Sequence, residues 1–331
     1  MNMNALFSSQ KEEGILCNLC PHECIIEENK TGFCKTRKNI SSELNSINYA
    51  EVTGFEIEPI EKKPLFHFKP GKNILSLGSW GCNLICPYCQ NHQISQEIPE
   101  YSKKIYPNAI PNLIEKYKVG GIAFTYSEPI VWFEYVLDAC REIKNYDLDI
   151  YTIMVSNGYI KKEPLELLLQ YIDAFNIDLK TFDSETYKKI FNGDLEKIKE
   201  NIKIIFEKNA HIEITTLIVP DINENLQELE EEFKWISSLS SKIPLHINKY
   251  FPRYKYSKKA TDIGKLIEIY QIAKKHLEFV YIGNIWDPKY ESTYCPECGE
   301  LLVERKGYNI KIVNLNENGG CIKCGRKVME M

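Results

Sequence analysis

Eleven of the twelve cysteines in this 331-residue chain gather into three separated groups. Cys17, Cys20, Cys24 and Cys34 form the first, Cys82, Cys86 and Cys89 the second, and Cys295, Cys298, Cys321 and Cys324 the third, leaving only Cys140 alone. In a reducing compartment so many thiols are metal ligands or catalytic groups rather than disulfides. Four thiolates close a tetrahedral site, whereas three leave one position on a metal or cluster free for something that reacts. The chain must therefore bring together two closed sets of thiols and one open set. Cys140, beside Leu137 and Ala139 in a helical period, reads as a buried small hydrophobe.

The remaining sequence supports that compartment. No stretch reaches 18 uninterrupted apolar residues, and Met1 to Glu13 has neither a basic n-region nor an apolar h-region, so a cytoplasmic protein without a membrane partner is expected. The formal charge of -5, from 46 acidic and 41 basic residues, argues against a nucleic-acid or anionic-membrane partner. At about 150 residues per domain, the length fits roughly two domains or one barrel with appendages.

Between residues 72 and 283, strand candidates alternate with helical periods. The strands are Asn73 to Gly78, Gly121 to Thr125, Asp149 to Val155, Ala174 to Lys180, His211 to Val219, Leu245 to Tyr250 and Phe279 to Gly283. Val131 to Lys144, Pro164 to Ile172, Leu226 to Leu239 and Ile263 to His276 carry helical periods. This alternation implies βαβ units and a parallel sheet, either doubly wound or closed partly or wholly into a barrel. Side-chain alternation favours the barrel. Asn176, Asp178 and Lys180 share one strand face, as do Glu213 and Thr215, and His246, Asn248 and Tyr250, whereas a strand covered on both sides should be apolar throughout. A polar face on three neighbouring strands predicts an enclosed polar cavity, with exposure to water as the alternative. The expected class is thus α/β, a partial or full parallel (β/α) barrel over 72–284, with an N-terminal four-cysteine metal-binding region over 1–71 and a C-terminal zinc ribbon over 285–331.

Gly78-Ser-Trp-Gly-Cys82-Asn-Leu-Ile-Cys86-Pro-Tyr-Cys89 follows the first strand directly. A C-x3-C-x2-C loop then sits at the carboxyl end of a barrel strand, where parallel α/β barrels place their chemistry. One tight loop makes the three thiolates converge as a cubane cluster requires, with a structural zinc site completed from elsewhere as the competing reading. This run, with Tyr88 before its last cysteine, resembles the signature of radical S-adenosylmethionine (SAM) enzymes. The resemblance implies a 4Fe-4S cluster on Cys82, Cys86 and Cys89, SAM chelated to the open iron, and reductive cleavage to methionine and a hydrogen-abstracting 5'-deoxyadenosyl radical. It also implies cofactor-binding roles for Tyr88, Ser127, Glu128, Ser156, Asn157, Asp178 and Lys180. Thr125-Tyr-Ser-Glu-Pro129 stands where the superfamily has Gly-Gly-Glu-Pro around the methionine ammonium, with Tyr126 and Ser127 replacing the glycines. Ser156-Asn157-Gly158 looks like the nucleoside-contacting segment, and Asp178-Leu-Lys180 resembles the Asp-x-Lys of pyruvate formate-lyase activating enzymes.

More narrowly, Cys17-Asn-Leu-Cys20-Pro-His-Glu-Cys24, Gly32-Phe-Cys34, Pro59-Ile-Glu-Lys-Lys-Pro-Leu65, His67-Phe-Lys-Pro-Gly71, Tyr281-Ile-Gly-Asn284 and Thr293-Tyr-Cys-Pro296 run in the order of the AmmeMemoRadiSam system radical SAM enzymes. That resemblance spans nearly the whole chain and implies an association with AMMECR-type and Memo-type proteins. A reductant such as flavodoxin or ferredoxin would supply the electron.

The outer groups are read from spacing. Cys295-Pro-Glu-Cys298-Gly299 and Cys321-Ile-Lys-Cys324-Gly325 are paired C-x2-C-G knuckles that predict a zinc ribbon, with rubredoxin-like iron or an auxiliary cluster as alternatives. Some 35 residues there have too little core to fold without metal. The N-terminal C-x2-C-x3-C-x9-C suits zinc or a closed cluster, and zinc is the expected metal. His246 and Tyr250 are the candidate catalytic residues, placed to position substrate or relay a proton at the barrel mouth. The expected activity is hydrogen abstraction from an unidentified small molecule or partner protein, with a glycyl-radical enzyme activase as the main variant. A non-catalytic metal-binding regulatory or nucleic-acid-binding protein is the alternative class.

Overall fold

The computed structural model describes residues 3–146 and 150–331. Its centre is an eight-stranded sheet whose strands follow one another in chain order. β1 (Gly54–Pro59) lies antiparallel on β2 (Asn73–Gly78). β3 (Gly121–Phe124), β4 (Tyr151–Ser156), β5 (Ala174–Asp178), β6 (His211–Ile218), β7 (Leu245–Lys249) and β8 (Val280–Gly283) continue it in parallel from β2. The strand expected from Asp149 begins outside the described residues and is seen from Tyr151.

Each parallel connection contains a helix of about two turns or more, shorter helical turns aside: α1 (Ile110–Tyr117), α2 (Phe133–Asn145), α3 (Lys162–Leu168), α4 (Leu195–Glu207), α5 (Leu226–Leu239) and α6 (Ile263–Ala273). βαβ crossovers are right-handed in nearly all cases, so a strand order that never reverses places these helices on one face of the sheet. A doubly wound sheet needs a reversal, and none occurs here. The edge strands β1 and β8 do not pair with each other among the described residues, so the sheet is open. Local sequence sets the helices. Asn225 accepts hydrogen bonds from the Gln227 and Glu228 amides to start α5, and its buried stripe contains Leu229, Phe233 and Ile236.

The other face is polar, as the strand alternation predicts, and the β1–β2 connection and the C-terminal segment cover it. Asn176 donates to the Pro64 carbonyl at 2.7 Å, and Glu213 accepts from the Phe66 and His67 amides at 3.0 and 2.7 Å. Arg305, in a C-terminal strand (Leu301–Lys306), donates to the Phe66 carbonyl at 2.8 Å and stacks over the Phe66 ring. The N-terminal residues form two three-stranded sheets whose Ile15, Cys17, Leu19, Ile26 and Leu44 join the main core. The C-terminal unit keeps a small core of its own, built on Leu302, Val303, Leu315 and Met329. No described helix is long and apolar enough to cross a membrane.

Candidate functional site

The three-cysteine loop leaves β2 at Gly78 and turns at Gly81, whose φ of +95° is in the region that favours glycine. A side chain there would also meet Thr36 Cγ2 at 2.3 Å and the Cys34 carbonyl at 2.8 Å, so the loop lies directly on the N-terminal unit. The Cys82 Sγ accepts from the Leu84 amide at 3.4 Å and lies 3.8 Å from Asn157 Nδ2, while the Cys89 Sγ is 3.1 Å from Ser95 Oγ. Burial pushes the Cys82 thiol far above its ordinary range, with the Glu128 carboxylate adding to it. Burial likewise raises Cys86 to about 12, although the Lys180 ammonium pulls the other way. Thiols held neutral this firmly ionise when a cation coordinates them, which fits a metal cluster. The three are not grouped within single-ion distance, as ligands to separate irons need not be. The buried Tyr88 ring packs edge-on against Phe191, Tyr250 and Tyr256.

Beside this loop opens a cavity of about 600 Å³ at the carboxyl ends of the strands. Ser127, Glu128, Ser156, Asn157, Asp178, Lys180 and His246 all line it. Glu128 is 2% exposed and spends its carboxylate within the protein. It accepts from the Ile130 amide at 3.0 Å, the Ser156 hydroxyl at 2.7 Å and the Asn157 amide at 2.8 Å, which braces β3 against β4. Burial outweighs these three donors and raises its carboxyl to about 7. Asn157 Nδ2 donates to Asn83 Oδ1 at 2.9 Å, tying the end of β4 to the cysteine loop. Ser127 donates to the Ser79 carbonyl at 2.7 Å. Lys180 Nζ donates to Asp178 Oδ2 at 2.6 Å; burial opposes the ammonium, but the Asp178 carboxylate holds it well above its usual range.

Tyr126, in a glycine place of the resembling motif, has a φ of +74°. The backbone thus keeps a glycine-like conformation under a large ring. Room for that ring comes from Gly54 and Gly78, where an added Cβ would lie 2.4 and 2.9 Å from Tyr126 Cδ2. Its hydroxyl donates to Glu58 Oε1 at 2.9 Å.

His246 is held by Glu213, with Nε2 2.6 Å from Oε2. Glu213 is fully buried, and hydrogen bonds from His211 and His246 overcome its burial and keep its carboxyl well below the usual range. Sequence alternation places Glu213 on the polar strand face but does not mark it as the brace of His246. Tyr250 lies just past the end of β7 and donates to the Tyr256 carbonyl at 2.6 Å. It packs on Tyr88 rather than lining the cavity, because the period of two that aligns it with His246 stops at Lys249. Trp286 and Glu291 also line the cavity, and neither motif nor spacing singles them out; Glu61, within the Pro59-to-Leu65 motif, and Tyr308 line it as well.

The two outer groups differ in geometry. Cys295 and Cys324 Sγ lie 3.5 Å apart, Cys298 and Cys321 Sγ 3.6 Å apart, and all four fall within 4.8 Å of one another. Thiolates bound at about 2.3 Å to one tetrahedral ion must be separated by about 3.8 Å, so this group can hold a single ion. Gly299 and Gly325 have φ of +73° and +79° with open space around them, so the knuckles need glycine for its backbone. Among the described residues no other group of three or more His, Cys, Asp or Glu side chains is so gathered, Cys17, Cys20, Cys24 and Cys34 included.

Residues 79–236 match the model of the radical SAM superfamily. The chain is 38% identical to the uncharacterized protein MJ0808 of Methanocaldococcus jannaschii over 98% of both chains. It is 25% identical to the 4-hydroxyphenylacetate decarboxylase activating enzyme of Clostridium scatologenes, over 59% of this chain and 64% of that one. A radical SAM methyltransferase structure from Sphaerobacter thermophilus shares the fold at a TM-score of 0.51 and 8% identity, over 65% of this chain and 67% of that one. The protein belongs to the radical SAM superfamily and is an enzyme of that superfamily. Membership implies a 4Fe-4S cluster and SAM.

Proposed function

We propose that this enzyme cleaves SAM reductively at a 4Fe-4S cluster held by Cys82, Cys86 and Cys89, and abstracts hydrogen from a substrate in the adjoining cavity. The observation that carries the reading is the juxtaposition of an open three-thiol loop with a polar cavity walled by Glu128, Asn157, Asp178 and Lys180. When bound, the cluster and SAM supply the electron and the 5'-deoxyadenosyl radical. The chain's own residues orient and exclude water. Glu128 holds Ser156 and Asn157 in place, and Asn157 in turn fixes the cysteine loop through Asn83. Ser127, with the Tyr126 backbone, forms the wall on the methionine side, while Asp178 and Lys180 present paired charges to the cofactor. Tyr88 packs behind the loop. His246, oriented by Glu213, positions substrate or moves a proton at the cavity wall. Tyr250 acts through Tyr88 rather than on substrate.

In this reading residues 285–331 form a zinc ribbon and residues 72–284 the catalytic partial barrel, behind an N-terminal metal region. A flavodoxin- or ferredoxin-type donor supplies the electron, and AMMECR-type and Memo-type proteins are the candidate partners. The name of the Clostridium scatologenes relative supports a second reading, in which the hydrogen comes from a glycyl-radical enzyme.

Anaerobically reconstituted, reduced protein should release methionine and 5'-deoxyadenosine, and Cys82→Ala with Cys86→Ala and Cys89→Ala should abolish both products. Persistent cleavage in the triple variant would refute the assignment. Deuterium transfer into 5'-deoxyadenosine, screened across labelled metabolites and partner proteins, separates the small-molecule reading from the activase.

A further inference from the structure

We propose that Cys17, Cys20, Cys24 and Cys34 hold a polynuclear iron-sulfur cluster, with the buried Arg37 guanidinium as its charge partner, and that it passes single electrons to the centre at Cys82, Cys86 and Cys89. The last clause rests on the function proposed above; the first two do not.

All four thiols and Arg37 line one small void. Their sulfurs are not gathered within the distance a single tetrahedral ion demands, although the C-terminal thiols of the same chain are. Thiolates on separate irons of a cluster stand farther apart than thiolates on one ion, so the wider set fits a cluster. Arg37 is the second observation. It is 1% exposed, and its Nη1 donates to Glu134 Oε1 at 2.6 Å, but Nε and Nη2 have no partner among the described residues. Buried, unpaired guanidinium donors are costly to leave unmet. Cluster-bound sulfurs would supply acceptors of the right charge, and N–H groups directed at such sulfurs set the potential of the centre.

The void also abuts the three-cysteine loop. Gly81, the residue before Cys82, lies on the Cys34 carbonyl and Thr36. His22, between Cys20 and Cys24, has Nε2 2.7 Å from the carbonyl oxygen of Asn83, the residue after Cys82. The two thiol sets therefore share a wall. The step is a transfer of one electron: a low-potential donor of the flavodoxin or ferredoxin class is oxidised by one electron, the N-terminal cluster is reduced and then reoxidised, and the second cluster is reduced, with no proton moved.

The decisive protein is the full chain carrying Cys82→Ala, Cys86→Ala and Cys89→Ala, reconstituted anaerobically with iron and sulfide. It should retain iron and sulfide and show an EPR signal after dithionite reduction, and adding Cys17→Ser and Cys20→Ser should remove both. Zinc without iron, or no metal, in the triple variant overturns the proposal. A wild type that carries both clusters yet releases no 5'-deoxyadenosine would instead refute the proposed function. In a redox titration of the triple variant, Arg37→Gln should lower the midpoint potential and Arg37→Lys should restore part of it; an unmoved potential in Arg37→Gln rejects the charge role. With the three-cysteine loop intact, Cys17→Ser with Cys20→Ser should slow reduction of the remaining cluster by reduced flavodoxin at least tenfold, and an unchanged rate rejects the relay. Should that double variant fail to fold, the corresponding rate in Arg37→Gln should fall, and an unchanged rate there rejects the relay equally.

Discussion

The two four-cysteine groups have the same ligand inventory and opposite settings. The C-terminal thiols sit on two tight knuckles, already gathered to single-ion spacing, in a unit with a small core of its own. The N-terminal thiols are spread around a void inside the main core, against a buried arginine and the loop that carries the central triad. Equal counts of cysteine thus serve different ends: one group stands in for missing core, and the other is placed where core is plentiful. A metal in the first setting stabilises its own segment, whereas one in the second is positioned to influence its neighbour.

The largest expected effect tests the first half of that contrast. Cys295→Ser with Cys298→Ser should lose one metal per chain and hydrogen-exchange protection across the segment from about Thr293 to the C-terminus, since metal binding in such units supplies about 10 to 16 kcal/mol of folding energy. The central sheet should keep its protection, and uniform loss across the chain would erase the distinction. In the N-terminal setting, Arg37→Met leaves Glu134 buried without its cation and should cost about 3 to 5 kcal/mol, read as a lowered denaturation midpoint of the main transition. A change confined to the N-terminal strands would show that this region folds apart.

A pH titration examines how the C-terminal tail docks. Burial opposes the His211 charge, but the hydrogen bond to Glu213 and the Glu330 carboxylate 3.9 Å away outweigh it and raise His211 to about 9. Its folded value exceeds the ordinary one, so this stabilisation is complete below about pH 6.5 and lost as pH rises through about 9, amounting to at most about 3 kcal/mol. His211→Gln should flatten the alkaline fall in stability and release the tail near Glu330 at neutral pH. Smallest is Gly81→Ala, at the wall between the N-terminal void and the triad loop, which should cost about 2 kcal/mol by forcing Thr36 aside. If cluster content at both sites is unaffected, the shared wall is passive.

What could be read from sequence was local in origin. The triad, the knuckles and the strand faces follow from spacings within one loop or one strand, and all seven expected parallel strands occur. The β1 strand escapes such a reading because Gly54-Phe-Glu-Ile-Glu-Pro59 offers only a brief alternation, and its partner β2 is recognisable without it. Glu128 is expected to face the cofactor and does line the cavity, but its bonds to Ser156 and Asn157 depend on the registration of β3 with β4, which no local pattern encodes. Arg305 and Phe66 are separated by 239 positions, and nothing in either neighbourhood advertises the contact.

That last contact fixes an order of events during synthesis. The cavity includes Tyr308, and the segment at Phe66 is clamped by Arg305, so the chamber cannot be completed until the chain has been translated past Tyr308. At elongation speeds of about 5 to 20 residues per second, the triad loop waits roughly ten to fifty seconds after its own translation before the chamber closes over it. During that interval Cys82, Cys86 and Cys89 are reachable by assembly factors and by oxygen alike. Cluster delivery while the chain is still being made, and sensitivity of the nascent protein to air, are both consequences of a chamber whose final wall is translated long after its triad loop.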